Sequence, residues 1–399
     1  MPQRDDTRDT ERLVSGAAWD DLCEALRRAG REILSEGTPD SPQMRAEGFR
    51  HLAGLLVSGV RQSFEMADPA RPRFWRNPDS AAKWGAENSD NQYLWTCVDP
   101  ALSYRIRGQR GSAYEFLIEA KQGYMQLGDS ANYATLTSEQ IETEEDGSFE
   151  VVASAKEHPG NWLPLGPDAR YVLVRQYFND WEHEDPARFW ITCLDSAGSP
   201  APPAEPAAVA QRLDAAGHWV ETTIRFWNGW VAEMRAAHEP GKLLPAIHMT
   251  GGADDIRYGN DLYRVAPDQA LILETEPPLA RYWSFQLCSL WFETLDYTNR
   301  QTSLNGQQIH VDSDGRVRVV IAHRDPGIPN WLDAAGHPEG MIQYRWIWSQ
   351  SSPHPSVHTV PLAELRDALP ADTPRVTPDQ RRRDIAGRQE HIARREPAT

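Results

Sequence analysis

Asn305-Gly306-Gln307-Gln308-Ile309-His310-Val311-Asp312-Ser313-Asp314-Gly315-Arg316-Val317-Arg318-Val319-Val320-Ile321-Ala322-His323 sets the architecture. Its dipeptides Asn305-Gly306 and Asp314-Gly315 supply the positive φ angles that tight connections between antiparallel strands require. Strands are predicted near 307 to 311 and 316 to 323, with others near 281 to 291 and 341 to 348. This is antiparallel sheet.

Working outward, the same period of two begins near residue 90 and includes Tyr104-Arg105-Ile106 and the run Tyr171 to Phe178. Ser199-Pro200-Ala201-Pro202-Pro203 is a stiff linker between the two β regions. After it, Val209, Leu213, Val220, Ile224, Trp227, Val231 and Met234 form one face of a long helix ending near Gly241. At the start, Trp19, Leu22, Cys23, Leu26 and Ile33, then Phe49, Leu52, Leu56, Val60 and Phe64, mark two amphipathic helices. Ser41 is the expected N-cap of the second and Pro42 its first residue, where a missing N–H costs nothing. Thr377-Pro378-Asp379-Gln380 opens a basic helix carrying Arg381, Arg382, Arg383, Arg388, Arg394 and Arg395, either solvated or clamped onto the acidic body.

The expected organisation is a helical segment over 1–80, a first β-sandwich over 81–200 and a linker with a long helix over 201–245. A second β-sandwich over 246–360 and a helical tail over 361–399 follow. The fold class is α+β, mainly β. At 399 residues with 40% hydrophobic content, the chain is long enough for two fused units. A net charge of −17 argues against nucleic acid and anionic membranes, both of which need a basic field. The first residues, MPQRDDTRDTERL, carry no apolar run, so cytoplasmic residence is expected. Cys23, Cys97, Cys193 and Cys288 are scattered and read as reduced thiols.

Glu87-Asn88-Ser89-Asp90-Asn91-Gln92-Tyr93, Val98-Asp99-Pro100 and Ser103-Tyr104-Arg105-Ile106 resemble the first module of bacterial proteins of the domain of unknown function family 1254. The second half resembles the companion family 1214. That likeness runs through Arg281-Tyr282-Trp283, Leu295 to Arg300, Asp314-Gly315, Asp325 to Leu332 and Tyr344-Arg345-Trp346. The resemblance implies paired jelly-roll-like antiparallel sandwiches surrounded by helices, and brings no established chemistry.

Fifteen tryptophans suggest aromatic walls around a ligand. In Tyr171 to Phe178, alternation sets Tyr171, Leu173, Arg175 and Tyr177 on one face, so Arg175 needs a partner, either a structural carboxylate or an anionic ligand. Trp291 to Arg300 gathers Asp296, Tyr297 and Arg300, either a proton-transfer site or a hydrogen-bonded corner. The loop Asp325 to Trp331 presents Asn330 and Trp331 for recognition or as a plug. The histidines lack ligand spacing, and no phosphate loop, dinucleotide fingerprint, nucleophile elbow or zincin motif occurs.

The expectation is therefore a small-molecule-binding protein without metal or cofactor, a hydrolase or lyase acting on a sugar-like or polycyclic substrate. Asp296, Asp180 and Tyr297 are its candidate catalytic residues. Arg175, Tyr177, Trp283, Arg300, Asn330, Trp331, Arg345 and Trp346 are its candidate ligand contacts. The alternative is a non-catalytic binding or assembly protein, with a homo-oligomer left open.

Overall fold

The computed structural model describes residues 5–248 and 256–396. Its strands form four sheets in two sandwiches, mainly antiparallel, with helices around them. The first sandwich has an inner sheet in the order Trp75–Arg76, Asn91–Cys97, Tyr171–Tyr177, Glu115–Lys121, Asn132–Thr137. Its outer sheet runs Trp162–Pro164, Ser148–Ser154, Tyr104–Gln109, Arg188–Cys193. The second has an inner sheet of Ile247–His248, Ile256–Arg264, Glu339–Ser349, Ala280–Cys288, Ser303–Asn305 and an outer sheet of Trp331–Asp333, Val317–Ala322, Gln269–Thr275, Ser356–Pro361.

The two sandwiches are topological copies. Counted from the start of each, both inner sheets run first, second, eighth, fourth, fifth, and both outer sheets seventh, sixth, third, ninth. Even the parallel pairing recurs at one position, Val152 against Trp162 and Val320 against Trp331.

Period-two alternation explains how each sandwich buries one face of each sheet. Phe116, Ile118, Val172 and Val174 meet Ile106, Phe149 and Val151 in the first core. Phe285, Tyr344 and Trp346 meet Leu271, Leu273, Val319 and Ile321 in the second. The other faces of the inner sheets turn toward each other, joined by Leu117 and Tyr177 against Ile256, Tyr282 and Ile347.

Three N-terminal helices form, Asp6–Ser15, Ala17–Glu32 and Pro42–Val60, where two were expected. Ser41 caps the last by accepting from the Met44 N–H at 3.2 Å. Trp19 and Phe49, expected on buried faces, are exposed, because Ala18, Leu22, Ala25 and Ala29 make the seam instead. The long helix Pro206–Ala237 packs on these helices and carries Trp227 and Trp230 to the gap between the sandwiches. No helix among the described residues is long and apolar enough to cross a membrane.

The hairpin reading needs correction at both dipeptides, because the flanking strands Ser303–Asn305 and Val317–Ala322 belong to different sheets and do not pair. Gly315 does take φ 79°, but Gly306 does not adopt positive φ, and 307 to 311 forms no strand. Asn305 instead closes a local turn, its side-chain oxygen accepting from the Gln307 and Gln308 N–H groups at 3.1 and 3.2 Å. Glycine is required at 306 because an added Cβ would lie 2.4 Å from the Trp283 indole nitrogen.

The C-terminal helix Pro378–Arg395, closed by a Thr377/Gln380 capping box, is a clamp. Arg381, Arg388 and Arg395, seven residues apart on one face, are all buried. Arg381 reaches Asp325 at 2.9 Å and Arg395 the Ser89 carbonyl at 2.9 Å, so the helix ties the second sandwich to the first. Burial lowers Arg388 to about 10. Asp90 is the other fastener: its carboxylate accepts from Trp181 Nε1 at 2.8 Å, Asn305 Nδ2 at 3.1 Å and the Tyr282 hydroxyl.

Candidate functional site

Where the two inner sheets face each other they enclose a cavity of about 220 Å³. Tyr93, Trp95, Lys121, Leu173, Arg175 and Tyr177 line it from the first sandwich, and Tyr258, Asn260, Gln343, Arg345 and Ile347 from the second. Trp84, Tyr124, Trp227, Trp230 and Phe292 complete an aromatic wall. Phe292 sits 4.7 Å from Trp227 and 4.4 Å from Trp230, ring centre to ring centre.

The duplicated topology places two arginines in equivalent positions. Arg175, on the central strand of its sheet, is directly opposite Tyr93 on the second strand; Arg345 is opposite Tyr258 in the same way. Each guanidinium lies over its tyrosine ring, at 5.6 and 5.9 Å. Their partners differ. Arg175 lies 3.5 Å from Glu119, whose other oxygen is 3.9 Å from the Lys121 ammonium. Among the described residues, Arg345 donates only to the Ala86 carbonyl at 2.7 Å and to the Gln343 amide oxygen, neither of which carries charge.

Buried polar groups ordinarily find hydrogen-bond partners, so those that do not need a reason. Several such groups line this cavity, on both of its sides. Arg345 Nη1, Arg175 Nε, Trp95 Nε1, Trp227 Nε1, Gln126 Nε2 and the Tyr124 hydroxyl have no protein partner among the described residues, and all belong to cavity-lining residues. Against these donors stand three unpartnered acceptors, Asn91 Oδ1, Asn260 Oδ1 and Glu87 Oε2. With cations and donors in excess, the cavity suits an anion bearing several acceptor oxygens.

Among the described residues, Glu87 is the one cavity-lining carboxylate. Burial pushes it up to about 7, with the Lys83 charge and the Thr294 hydroxyl working against that rise. Its loop is under local backbone strain. Ala86 and Phe292, both lining the cavity, adopt φ 47° and 55°, and the Ala86 N–H donates to the Phe292 carbonyl at 2.9 Å. Among the described residues no three His, Cys, Asp or Glu side chains gather as metal ligands would.

Of the expected site residues, Arg175, Tyr177 and Arg345 line this cavity. The others lie elsewhere. Trp283 and Trp346 are in the second core, because neighbours on a strand point to opposite faces and Arg345 already faces the gap. Trp331 is under the outer sheet, its Nε1 donating to the Ala322 carbonyl at 3.0 Å, and Asn330 bridges the His310 and Arg318 carbonyls at 2.7 and 3.1 Å. Tyr297 is buried against Phe178, Trp181 and Ile392 beneath the C-terminal helix. Arg300 pairs with Asp333 at 2.7 Å, its side chain half exposed. Asp296 is exposed and closes a turn; burial would raise its carboxyl, but bonds from Asn299 and Thr298 outweigh that and hold it low. Asp180 holds a surface turn and His183 at 2.9 Å.

Tyr93, Trp95, Glu119, Lys121 and Tyr258 were not anticipated. Alternation along Asn91–Cys97 and Glu115–Lys121 does place Tyr93 with Trp95 and Glu119 with Lys121. Nothing local says that this face meets a second sheet.

Comparisons with known proteins extend this picture. The family model described as "Protein of unknown function (DUF1214)" matches residues 99–180 and 259–349, so one model matches both sandwiches, the first included. An uncharacterized protein of Burkholderia cenocepacia, known from a crystal structure, is 36% identical over 89% of this chain and 99% of its own, with a TM-score of 0.84. A Vibrio parahaemolyticus protein is 12% identical over 78% of this chain and 98% of its own, with a TM-score of 0.45, too low to carry an argument. No curated protein matches. The chain belongs to the family of proteins of unknown function DUF1214.

Proposed function

We propose that the protein binds a small organic anion, a carboxylate on a compact body, between its inner sheets. The observation that carries this reading is Arg345, buried and, among the described residues, paired only with neutral oxygens and with one guanidinium nitrogen unbonded. A buried cation without a counterion costs several kcal/mol. A ligand carboxylate would remove that cost and satisfy Arg175 Nε and the indole N–H groups as well. The volume of about 220 Å³ lies below the roughly 300 Å³ at which ordinary small-molecule sites begin, which favours a compact ligand over a polycyclic one.

A hydrolytic or eliminating reaction is the catalytic form of this reading. Glu87, lining the cavity with its carboxyl pushed up to about 7, is poised to take or give a proton near neutral pH. In this proposal the protein works in the cytoplasm on a small molecule, without nucleic acid or membrane. Family 1254 stays a proposed further relative of the first module.

The test is thermal-shift titration with small aromatic and 2-hydroxy carboxylates, each against its neutral amide. Acids should raise the melting temperature in proportion to the logarithm of their concentration, and amides should not. Equal shifts from both, or an undiminished shift in Arg345→Gln, would end the reading.

A further inference from the structure

Four lysines stand among the 41 Lys and Arg residues of this chain, and one of them is on the cavity wall. Lys121 closes the strand Glu115–Lys121 and is 7% exposed. Its ammonium has Glu119 at 3.9 Å, beyond hydrogen-bond reach, and the second oxygen of that carboxylate is already 3.5 Å from Arg175. One carboxylate thus serves two cations. A simple positive charge could have been an arginine, which this chain uses far more often; arginine cannot act as an amine. A desolvated lysine beside a second cation, in an aromatic pocket, is the setting in which the neutral amine becomes available as a nucleophile.

We propose that Lys121 forms a Schiff base with a carbonyl group on the bound anion, which makes 2-oxo acids the ligand class. This rests on the anion-seat reading above. Arg345 and Arg175 hold the carboxylate while Lys121 Nζ attacks the adjacent carbonyl carbon. The ammonium first gives one proton to solvent; on attack the carbonyl electron pair moves to oxygen, which takes a proton from nitrogen. The carbinolamine then takes a second proton on that hydroxyl and expels it as water, as the nitrogen lone pair forms the C=N bond. One ammonium and one carbonyl compound give one iminium and one water, and no oxidant or reductant is consumed. Burial favours the neutral amine; Glu119 opposes it and the Arg175 charge reinforces it, leaving the ammonium below its ordinary pKa.

The full chain would be incubated with phenylglyoxylate, or with pyruvate, and sodium cyanoborohydride, then analysed by intact mass and peptide mapping. The expected result is one reduced adduct on Lys121, formed about tenfold faster than on Lys156 or Lys242, suppressed by excess mandelate and lost in Lys121→Met and Lys121→Arg. Absence of an adduct on the wild-type protein, an adduct that mandelate does not suppress, or one that persists in Lys121→Met overturns the inference. A mandelate thermal shift separates the two readings: with the shift present and no adduct, Schiff-base chemistry falls and the anion seat stands. With neither, both fall.

Discussion

Arg175 and Arg345 occupy the same place in two copies of one sandwich, each on the central strand of its inner sheet and each over the tyrosine opposite it. Their surroundings have diverged. The first sheet gives its arginine a carboxylate, Glu119 at 3.5 Å, and adds Lys121. The second offers Ser284, Gln286 and Gln343, with a carbonyl 2.7 Å from Arg345. Duplication thus supplied the geometry twice, while the side chains around each arginine decide whether its charge is satisfied within the protein. A guanidinium with a carboxylate beside it belongs to the scaffold first; one among amides is left for a ligand.

The comparison fails first if the two halves come apart. Asp90→Ala takes the Trp181 indole N–H's partner, strips one bond each from Tyr282 and Asn305, and removes the buried negative charge that Arg395 and Arg388 act on, so it should cost about 4 kcal/mol in urea unfolding. A loss below about 1 kcal/mol would mean that Asp90 is not a fastener.

A pH effect comes next. Glu87 has an ordinary value of 4.5 in the unfolded chain and about 7 in the folded one, so the folded state binds the proton more tightly. Its contribution is full below pH 4.5 and lost as pH rises through 7, about 3 kcal/mol in all. Melting temperatures at pH 5 and pH 8 should therefore differ more in the wild type than in Glu87→Gln, and equal differences would remove Glu87 as a titrating group.

The arginines themselves give the sharpest contrast at a smaller magnitude. Arg175→Met should destabilise the protein by about 2 kcal/mol, because Glu119 loses its nearer cation and keeps the more distant Lys121. Arg345→Met should leave stability unchanged or raised while abolishing the carboxylate-induced thermal shift. Equal losses in both variants would erase the asymmetry. Smallest of all, Arg300→Ala breaks a half-exposed pair with Asp333 and should cost under about 1 kcal/mol, with carboxylate binding intact.

Much of the scaffold was legible because it depends on local rules. The Ser41 and Thr377 caps, the Asp314-Gly315 turn and the apolar face of Pro206–Ala237 follow from backbone geometry that a short stretch of sequence specifies. Asn305-Gly306 failed because two competing demands used the same residues: an amide closing its own turn while reaching Asp90, and a glycine beneath Trp283. The site was legible only in part. Alternation put Arg175 and Tyr177 on one face, but it also required Trp346 to point away from Arg345, and a motif read as a block hides that.

By itself, the sequence determined which faces of which strands are apolar, where helices begin, and that an acidic chain carries guanidinium groups on otherwise apolar strands. These are matters of dihedral preference, periodicity and charge, each local. Only the tertiary structure decided that the two inner sheets meet, that Arg175 and Arg345 share one hollow, and that Asp296 and Trp331 do not reach it. The meeting of two surfaces is set by shape and by fasteners such as Asp90 and Arg395, which join residues up to 306 positions apart. No window along the chain contains both sides of such a contact.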